Sequence, residues 1–170
     1  MAQGQPRTAR QYLPDDARPV TTWAQACRRL AEATTYWLGT VRPDGRPHVV
    51  PVLSVWLDGA LYFCAGATTR KARNLAQNPA CVITAGTDDL DLVVEGTAVH
   101  VSDAVRLERV AGAYRSKYGW EPAPRDGAFY GEGAPTAGSP LLDVYAVAPQ
   151  VAFGFGTGAS LNAMRWSFSP

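Results

Sequence analysis

The sequence predicts an α+β protein built around a small closed antiparallel β-sheet of six or seven strands. Its 170 residues with 46% hydrophobic content are enough for one domain with a proper core, and 16 glycines and 13 prolines indicate many turns. Short β-branched and aromatic runs are separated by turn signals such as Pro43-Asp44-Gly45 and Asp58-Gly59. Amphipathic helical patterns precede and interrupt these runs, which is typical of the α+β class.

Composition limits the function classes. The net charge of +1 and an isoelectric point near 7.7 argue against a nucleic-acid partner, which usually meets a clustered basic surface. Cys27, Cys64 and Cys81 form no Cys-x-x-Cys pair, and only His48 and His100 could complete a metal site, so we expect free buried thiols and no metal. With no signal segment and no membrane-spanning run, we expect a soluble cytoplasmic protein without a membrane partner.

The N-terminal part of the chain contains an arm and a helix. The first 20 residues hold three prolines among scattered charges, so we expect an extended or disordered arm, with a single domain over residues 21–170. Thr22 to Gln25 has the form of a capping box, which predicts an amphipathic helix to about Ala33. We expect this helix to cover one end of the sheet.

The first strands form hairpins. We expect strands at residues 36–42, 46–57 and 60–65, joined by the two turns named above. Pro47 and Pro51 cannot donate to a strand ladder, so the second strand must lie at an edge or contain a bulge.

The rest of the chain alternates strands with two helices. Residues 119–140 are rich in glycine, proline and alanine, and a structureless segment of this length is typical of a lid-like or disordered loop. Pro149 joins or bends two neighbouring strands. We expect helices at 70–77 and from the Asp103 cap to Tyr118, and strands at 80–85, 92–101, 142–147, 150–155 and 164–168.

The most informative stretch is Gly66 to Leu75, which follows an apolar strand and opens a helix. Thr68 or Thr69 can cap this helix, and its first residues include Arg70, Lys71 and Arg73 instead of the acidic residues that a helix dipole prefers. Such a start is favourable where an anion is held by free backbone N–H groups, a threonine hydroxyl and the cations. The alternative is a solvated basic helix. No Walker or Gly-x-Gly-x-x-Gly pattern indicates a nucleoside triphosphate or a Rossmann dinucleotide.

Several segments of the chain form a known combination. They are Gly39–Val52, Leu61–Phe63, Thr69–Leu75 and Val94–Ala98, with Arg165-Trp166 near the end. Together they resemble the pyridoxamine 5′-phosphate oxidase-like split β-barrel family, and the resemblance covers residues 30–168. It implies a split β-barrel of the FMN-binding-protein type with flanking helices. It also implies a homodimer that binds FMN or the deazaflavin coenzyme F420 in a groove between two barrels.

The resemblance also implies a set of cofactor-binding residues. Arg70 and Lys71 would hold the cofactor phosphate with hydroxyl groups from Thr68 and Thr69, while Asn74 satisfies backbone groups of the helix. Arg165 and Trp166 would close the site from the partner subunit. The strand under the tricyclic ring would comprise His48, Val49, Val50, Pro51 and Val52, where His48 either contacts the ring or is structural.

This strand lacks the arginine and lysine that pyridoxamine phosphate oxidases proper place on the ring, so the sequence looks more like the deazaflavin-using oxidoreductases. We therefore expect an oxidoreductase that uses F420 or FMN to transfer a hydride to or from a planar small-molecule substrate. No acid–base pair is evident, so no catalytic residue is assigned. The alternative is a non-catalytic carrier of flavin, deazaflavin or haem.

Overall fold

The computed structural model describes residues 4–12, 20–132, 140–157 and 162–169, and within them the chain forms three α-helices and eleven β-strands. The helices are α1 (Trp23–Glu32), α2 (Arg70–Gln77) and α3 (Ala104–Tyr118). The strands are β1 (Thr8–Gln11), β2 (Tyr36–Val41), β3 (Pro47–Val52), β4 (Ser54–Leu57), β5 (Ala60–Ala65), β6 (Ala80–Gly86), β7 (Leu90–Val101), β8 (Ala123–Arg125), β9 (Ala128–Tyr130), β10 (Leu141–Gly156) and β11 (Ala163–Ser167).

The sheet is antiparallel throughout, and β10 is its central strand. One branch runs in the order β1-β11-β10-β7-β6-β2-β3. A second branch leaves β10 through β5, which pairs with β4, and the short hairpin of β8 and β9 also joins β10. The α+β class is therefore confirmed, with more strands than the six or seven predicted.

The extra strands arise where the sequence suggested irregular chain. The arm contributes β1, which pairs with β11 from Thr8 to Gln11. The expected structureless loop at 119–140 is wrong for its first part, because β8 and β9 form a hairpin through the Asp126-Gly127 turn. The remainder of that loop, at 133–139, lies outside the described residues.

Two predicted strands are divided differently in the structure. Residues 141–156 form one continuous strand with a bulge between Pro149 and Val151, so Pro149 bends the strand without ending it. The predicted strand at 46–57 is instead interrupted at Leu53, and β3 and β4 pair with different neighbours. The edge position predicted for the proline-containing strand is confirmed, since β3 ends its branch of the sheet.

Local signals determine the helix boundaries. Thr22 and Gln25 form the predicted capping box of α1. Asp103 caps α3, and Gly119 ends it in the left-handed conformation at φ 65°. No helix in the described part of the chain is long and apolar enough to cross a lipid bilayer.

The core has two parts. The larger one lies inside the curved sheet and is closed by α1, whose Trp23, Ala26 and Leu30 are buried there. The second lies where α3 packs on β4, β5 and β10, around Tyr62, Tyr114 and Phe129. Burial of apolar surface at about 25 cal/mol per Å² makes these two clusters the main source of stability.

Candidate functional site

The start of α2 is held by Thr69 rather than by an acidic cap. The Thr69 hydroxyl accepts a hydrogen bond from the Ala72 N–H at 3.3 Å and donates to the Gly66 carbonyl at 2.8 Å. Thr69 is therefore the cap that the sequence predicted, but its proton is already used within the chain. Its expected role as a hydroxyl donor to a ligand is not supported, whereas Thr68 is exposed.

The two cations that open α2 differ in their surroundings. Arg70 is exposed, while Lys71 is only 3% exposed. Burial lowers the pKa of Lys71, because removing an ammonium group from water disfavours its charged form. A buried cation at a helix N-terminus is unusual, since lysine is rarely buried to this extent.

His48 lies among three cations. Burial lowers the pKa of His48, and the positive charges of Arg42, Arg70 and Lys71 lower it further. No carboxylate is among the groups that act on this imidazole. Neutral His48 can therefore offer a hydrogen bond near neutral pH without adding another charge.

A chain of polar contacts connects α2 to the β2–β3 hairpin. Asn74 is fully buried, and its side-chain N–H donates to the Thr40 hydroxyl at 2.9 Å. The same hydroxyl lies 3.4 Å from His48 Nδ1. Asn74 was expected to satisfy backbone groups of the helix, but its recorded hydrogen bond goes to Thr40 instead.

Two buried atoms beside this chain lack partners. Asn74 Oδ1 and Arg42 Nε are both buried without a hydrogen bond among the described residues. An unmatched buried polar atom costs about 1–3 kcal/mol, so such atoms commonly indicate a missing ligand or water. Here one is an acceptor and the other a charged donor, so a ligand that carries an anionic group and an N–H or O–H group would suit both.

Sequence reasoning missed Thr40 and Arg42. The register of the hairpin places Thr40 opposite His48, and Arg42 directly follows the strand. The Pro43-Asp44-Gly45 turn could have shown that residues 40 and 48 face each other, since a short turn determines the register. We refer below to Thr40, Arg42, His48, Arg70, Lys71 and Asn74 as the basic cluster.

The remaining residues of the predicted ring-binding strand point to both sides of β3. Val52 is buried and Val50 is partly buried, both in the core, while Val49 and Pro51 are exposed on the opposite face. Among these five residues, His48 belongs to the basic cluster. The backbone groups of the other four lie at the open edge of β3, where a ring could use them.

The two C-terminal residues predicted to close the site lie apart from the basic cluster. Trp166 is 1% exposed and packs against Trp23, with ring centroids 5.3 Å apart. A Cβ at Gly154 would approach the Trp166 ring to 2.8 Å, so this glycine makes room for the indole. Trp166 is thus a core residue whose ring is not accessible to a ligand.

Arg165 occupies the opposite face of the same strand. It donates to the Ser167 hydroxyl at 2.6 Å, and its guanidinium lies 6.0 Å from the centre of the Phe153 ring. It therefore contributes nothing to the basic cluster of its own chain. Two cavities of the described chain, of about 180 and 1080 Å³, are also lined by other residues.

The basic cluster can bind an anion. Three cations and a neutral imidazole converge beside the first turn of α2, where the positive end of the helix dipole favours negative charge. The only carboxylate of the hairpin turn, Asp44, is paired with Arg46 at 2.7 Å. Phosphate or carboxylate groups are the chemistry that such a donor set recognises.

Comparison with known proteins relates the chain to a family of phosphate-ligand oxidases. The family model for pyridoxamine 5′-phosphate oxidase matches residues 23–150. The pyridoxine/pyridoxamine 5′-phosphate oxidase of Bacteroides thetaiotaomicron is 40% identical over 76 residues, which are 43% of this chain and 36% of that protein. The match therefore spans about a third of the length of this curated relative.

Solved structures share the fold at lower identity. An F420 reductase is 23% identical with a TM-score of 0.52, covering 74% of this chain and 93% of its own. A heme binding protein from Mycobacterium smegmatis is 18% identical with a TM-score of 0.61, covering 85% of this chain and 58% of its own. Since the family model matches more than half of the residues, the chain belongs to the pyridoxamine 5′-phosphate oxidase family.

Proposed function

We propose that the protein is an oxidoreductase that binds FMN or the deazaflavin coenzyme F420 through the basic cluster and acts on a planar organic substrate. The observation that carries the proposal is the pair of unmatched buried atoms in the basic cluster. Arg42 Nε, a charged donor, and Asn74 Oδ1, an acceptor, are both buried without a hydrogen bond among the described residues. Leaving a buried charged donor without a hydrogen bond is costly, so a ligand with a negatively charged group is the arrangement that suits this site.

The residues present fit the charged tail of either coenzyme. Arg70, Lys71 and Arg42 would hold its anionic groups, while Asn74 Oδ1 would accept a hydrogen bond from a ligand N–H or O–H group. The edge of β3 leaves backbone groups available for a flat polar ring. When bound, the coenzyme would supply hydride transfer, and the protein would supply grip, orientation and exclusion of water.

His48 would then be a neutral hydrogen-bonding group. Thr40 can donate to its Nδ1, which would leave the Nε2–H free to face the ligand. No acidic residue stands beside it, so the described chain contains no pair of groups suited to general acid–base catalysis at this place. The proton of the reaction would come from solvent.

We further propose that the working form is a homodimer. One face of the sheet carries large apolar side chains in the open, with Trp37 47% exposed, Val49 58% and Phe155 42%. Exposed apolar patches of this kind commonly mark protein interfaces. The strand register places these three side chains on one face of the sheet, together with Pro51, Thr84, Val93 and Phe153. Arg165 lies on the same face, opposite Phe153 on the neighbouring strand. A partner could therefore bring its Arg165 toward the open edge of β3.

The first test is a titration of the purified protein with FMN and with F420, in which binding is measured as quenching of the coenzyme fluorescence. Arg42→Gln is expected to weaken binding of the preferred coenzyme by roughly tenfold, because one charge-assisted contact is lost. Arg46→Gln is the matched control, since Arg46 lies in the same hairpin but is exposed and paired with Asp44. Equal affinity of the two variants would remove Arg42 from the site.

A second candidate function is that of a carrier, which binds flavin, deazaflavin or haem without turnover. The fold that the chain shares with a heme binding protein is compatible with this function. Haem would need an axial ligand, for which His48 is the imidazole at the site. A Soret band in the purified protein, lost in His48→Ala, would support the haem carrier. Oxidation of reduced coenzyme by an added acceptor at a rate above the protein-free rate would support the enzyme.

A further inference from the structure

A large groove lies on a different part of the molecule from the basic cluster. Its volume is about 1080 Å³, and no residue of the basic cluster lines it. Its floor is formed by neighbouring segments of β7 and β10, and its walls by the β4–β5 turn and the first turns of α3. Walls from several segments distinguish this open groove from a shallow depression between two strands.

Two unpartnered polar groups line this groove. Tyr62 is 3% exposed, and its hydroxyl makes no hydrogen bond within the described residues, although it lines the cavity. The exposed Arg106 on α3 has no ion pair among those residues. Both residues line the same cavity, and burial raises the pKa of Tyr62, which the charges of Arg106 and Arg109 oppose and that of Asp58 reinforces. The phenol therefore stays protonated and able to donate.

The charges around the groove are not balanced. Its one lining carboxylate, Asp58, is already paired with Arg109 at 2.6 Å, which leaves Arg106 as the uncompensated charge. His100 also lines the groove, with its Nε2 3.5 Å from the Asp143 carboxylate. The net charge facing the groove is therefore positive.

The floor between these polar groups is apolar. Val99 is 59% exposed there, beside Ala146 and Ala148 on the neighbouring strand. At one end the Gln150 side chain donates to the Thr97 hydroxyl at 3.1 Å, so these two polar groups already bond to each other. A ligand lying on this floor would thus meet hydrocarbon along its body and donors mainly at the Arg106 side.

We propose that this groove is a second binding site, which takes a small organic anion with an apolar or aromatic body. The anionic group is received by the Arg106 guanidinium and the Tyr62 hydroxyl, and the body covers Val99, Ala146 and Ala148. A charged donor beside a phenol matches a carboxylate, sulfonate or phosphate ester. The apolar floor supplies the burial that such ligands need for affinity.

The test uses 1-anilinonaphthalene-8-sulfonate, an aromatic anion whose fluorescence increases in apolar surroundings, titrated into the full chain. The expected result is saturable binding that Arg106→Gln weakens about tenfold and Tyr62→Phe about fivefold. The uncharged N-phenyl-1-naphthylamine is the matched probe and should bind the wild type and Arg106→Gln alike. Circular dichroism of each variant verifies that the fold is retained.

Arg115→Gln is the control variant, because Arg115 carries the same charge on the same helix but lies outside the groove, near Glu121. It should leave probe binding unchanged. Equal affinity of Arg106→Gln and Arg115→Gln would overturn the proposal. So would displacement of the probe by saturating FMN, which would place it in the basic cluster, or a dimer that excludes the probe.

Discussion

The helices α2 and α3 begin in opposite electrostatic ways. Asp103 caps α3, and its carboxylate accepts from the Arg106 N–H at 2.8 Å, while Arg115 and Lys117 occupy the last turn. Thr69 caps α2, its first turn contains no acidic residue, and its last turn contains no basic one. The Asp103 cap and the cations of the last turn thus complement the dipole of α3, although Arg106 stands in its first turn, whereas the start of α2 carries cations and no acidic residue.

This difference indicates which helix N-terminus already has a negative charge from the chain itself. In α3 the Asp103 carboxylate supplies the negative charge that the N-terminus favours, so the helix dipole itself needs no external anion there. In α2 the cations Arg70 and Lys71 stand where an anion would be stabilised, and Arg42 adds a third charge from the hairpin. An external anion would turn this unfavourable start into a favourable one.

The largest effect is expected from breaking the α2 site at its buried cation. Lys71→Met retains the length of the side chain but removes the charge, and should weaken FMN or F420 binding by about 2–3 kcal/mol, the size of one charge-assisted contact. The measurement is a fluorescence titration of both coenzymes against the wild type. In addition, phosphate should raise the melting temperature of the wild type more than that of the variant.

Arg73→Gln provides the control for this loss. Arg73 is exposed on the same helix, one turn beyond the cap, and should leave FMN affinity unchanged. If Lys71→Met binds FMN as tightly as Arg73→Gln, the anion site is not at the start of α2.

The boundaries of these helices were predictable from sequence because caps are local. Thr69 and Asp103 act within three residues of themselves, so the letters around them predict where each helix starts. The cations at the start of α2 were visible for the same reason. The hairpin residues Thr40 and Arg42 were not, because the packing of α2 against β2, which brings Thr40 to Asn74, is not a local feature of the sequence.

The C-terminal strand shows what the sequence could not predict. Alternation predicted a strand there but not which face is buried, and Trp166 proved to lie in the core while Arg165 lies outside. A one-residue shift in register reverses the two faces of a strand, and sequence alone does not determine which pairing occurs. The β8–β9 hairpin was missed because its proline and glycine content hid two strands of three residues each.

A buried lysine near the C-terminal end of α3 should make the stability of the protein depend on pH. Lys117 donates to the Tyr36 hydroxyl at 2.6 Å without a carboxylate partner, and burial lowers the pKa of Lys117 to about 8. The folded-state pKa lies below that of the unfolded chain, so between pH 8 and 10.5 the unfolded chain binds more protons. Stability contributed by this group should therefore rise with pH across that window.

We expect the difference in unfolding free energy between wild type and Lys117→Met to move by about 1–2 kcal/mol in favour of the wild type from pH 7.5 to 9.5, with solvent screening of the half-buried amine taken into account. Denaturant unfolding at both pH values measures it, and other titrating groups cancel in the difference. A constant difference would mean that Lys117 keeps an ordinary pKa when folded.

The smallest effect comes from giving α2 the charge pattern that α3 already has. Arg70→Glu places a carboxylate in the first turn, and the coenzyme-free protein should become more stable by about 0.5 kcal/mol, an effect that high salt reduces. The reciprocal Ala104→Arg should destabilise α3 by a similar amount, since both positions are exposed and first in their helices. The same Arg70→Glu variant should bind FMN less tightly, so stability and affinity move in opposite directions. A coenzyme-free Arg70→Glu protein less stable than the wild type would show that the cations of α2 already have sufficient partners within the chain.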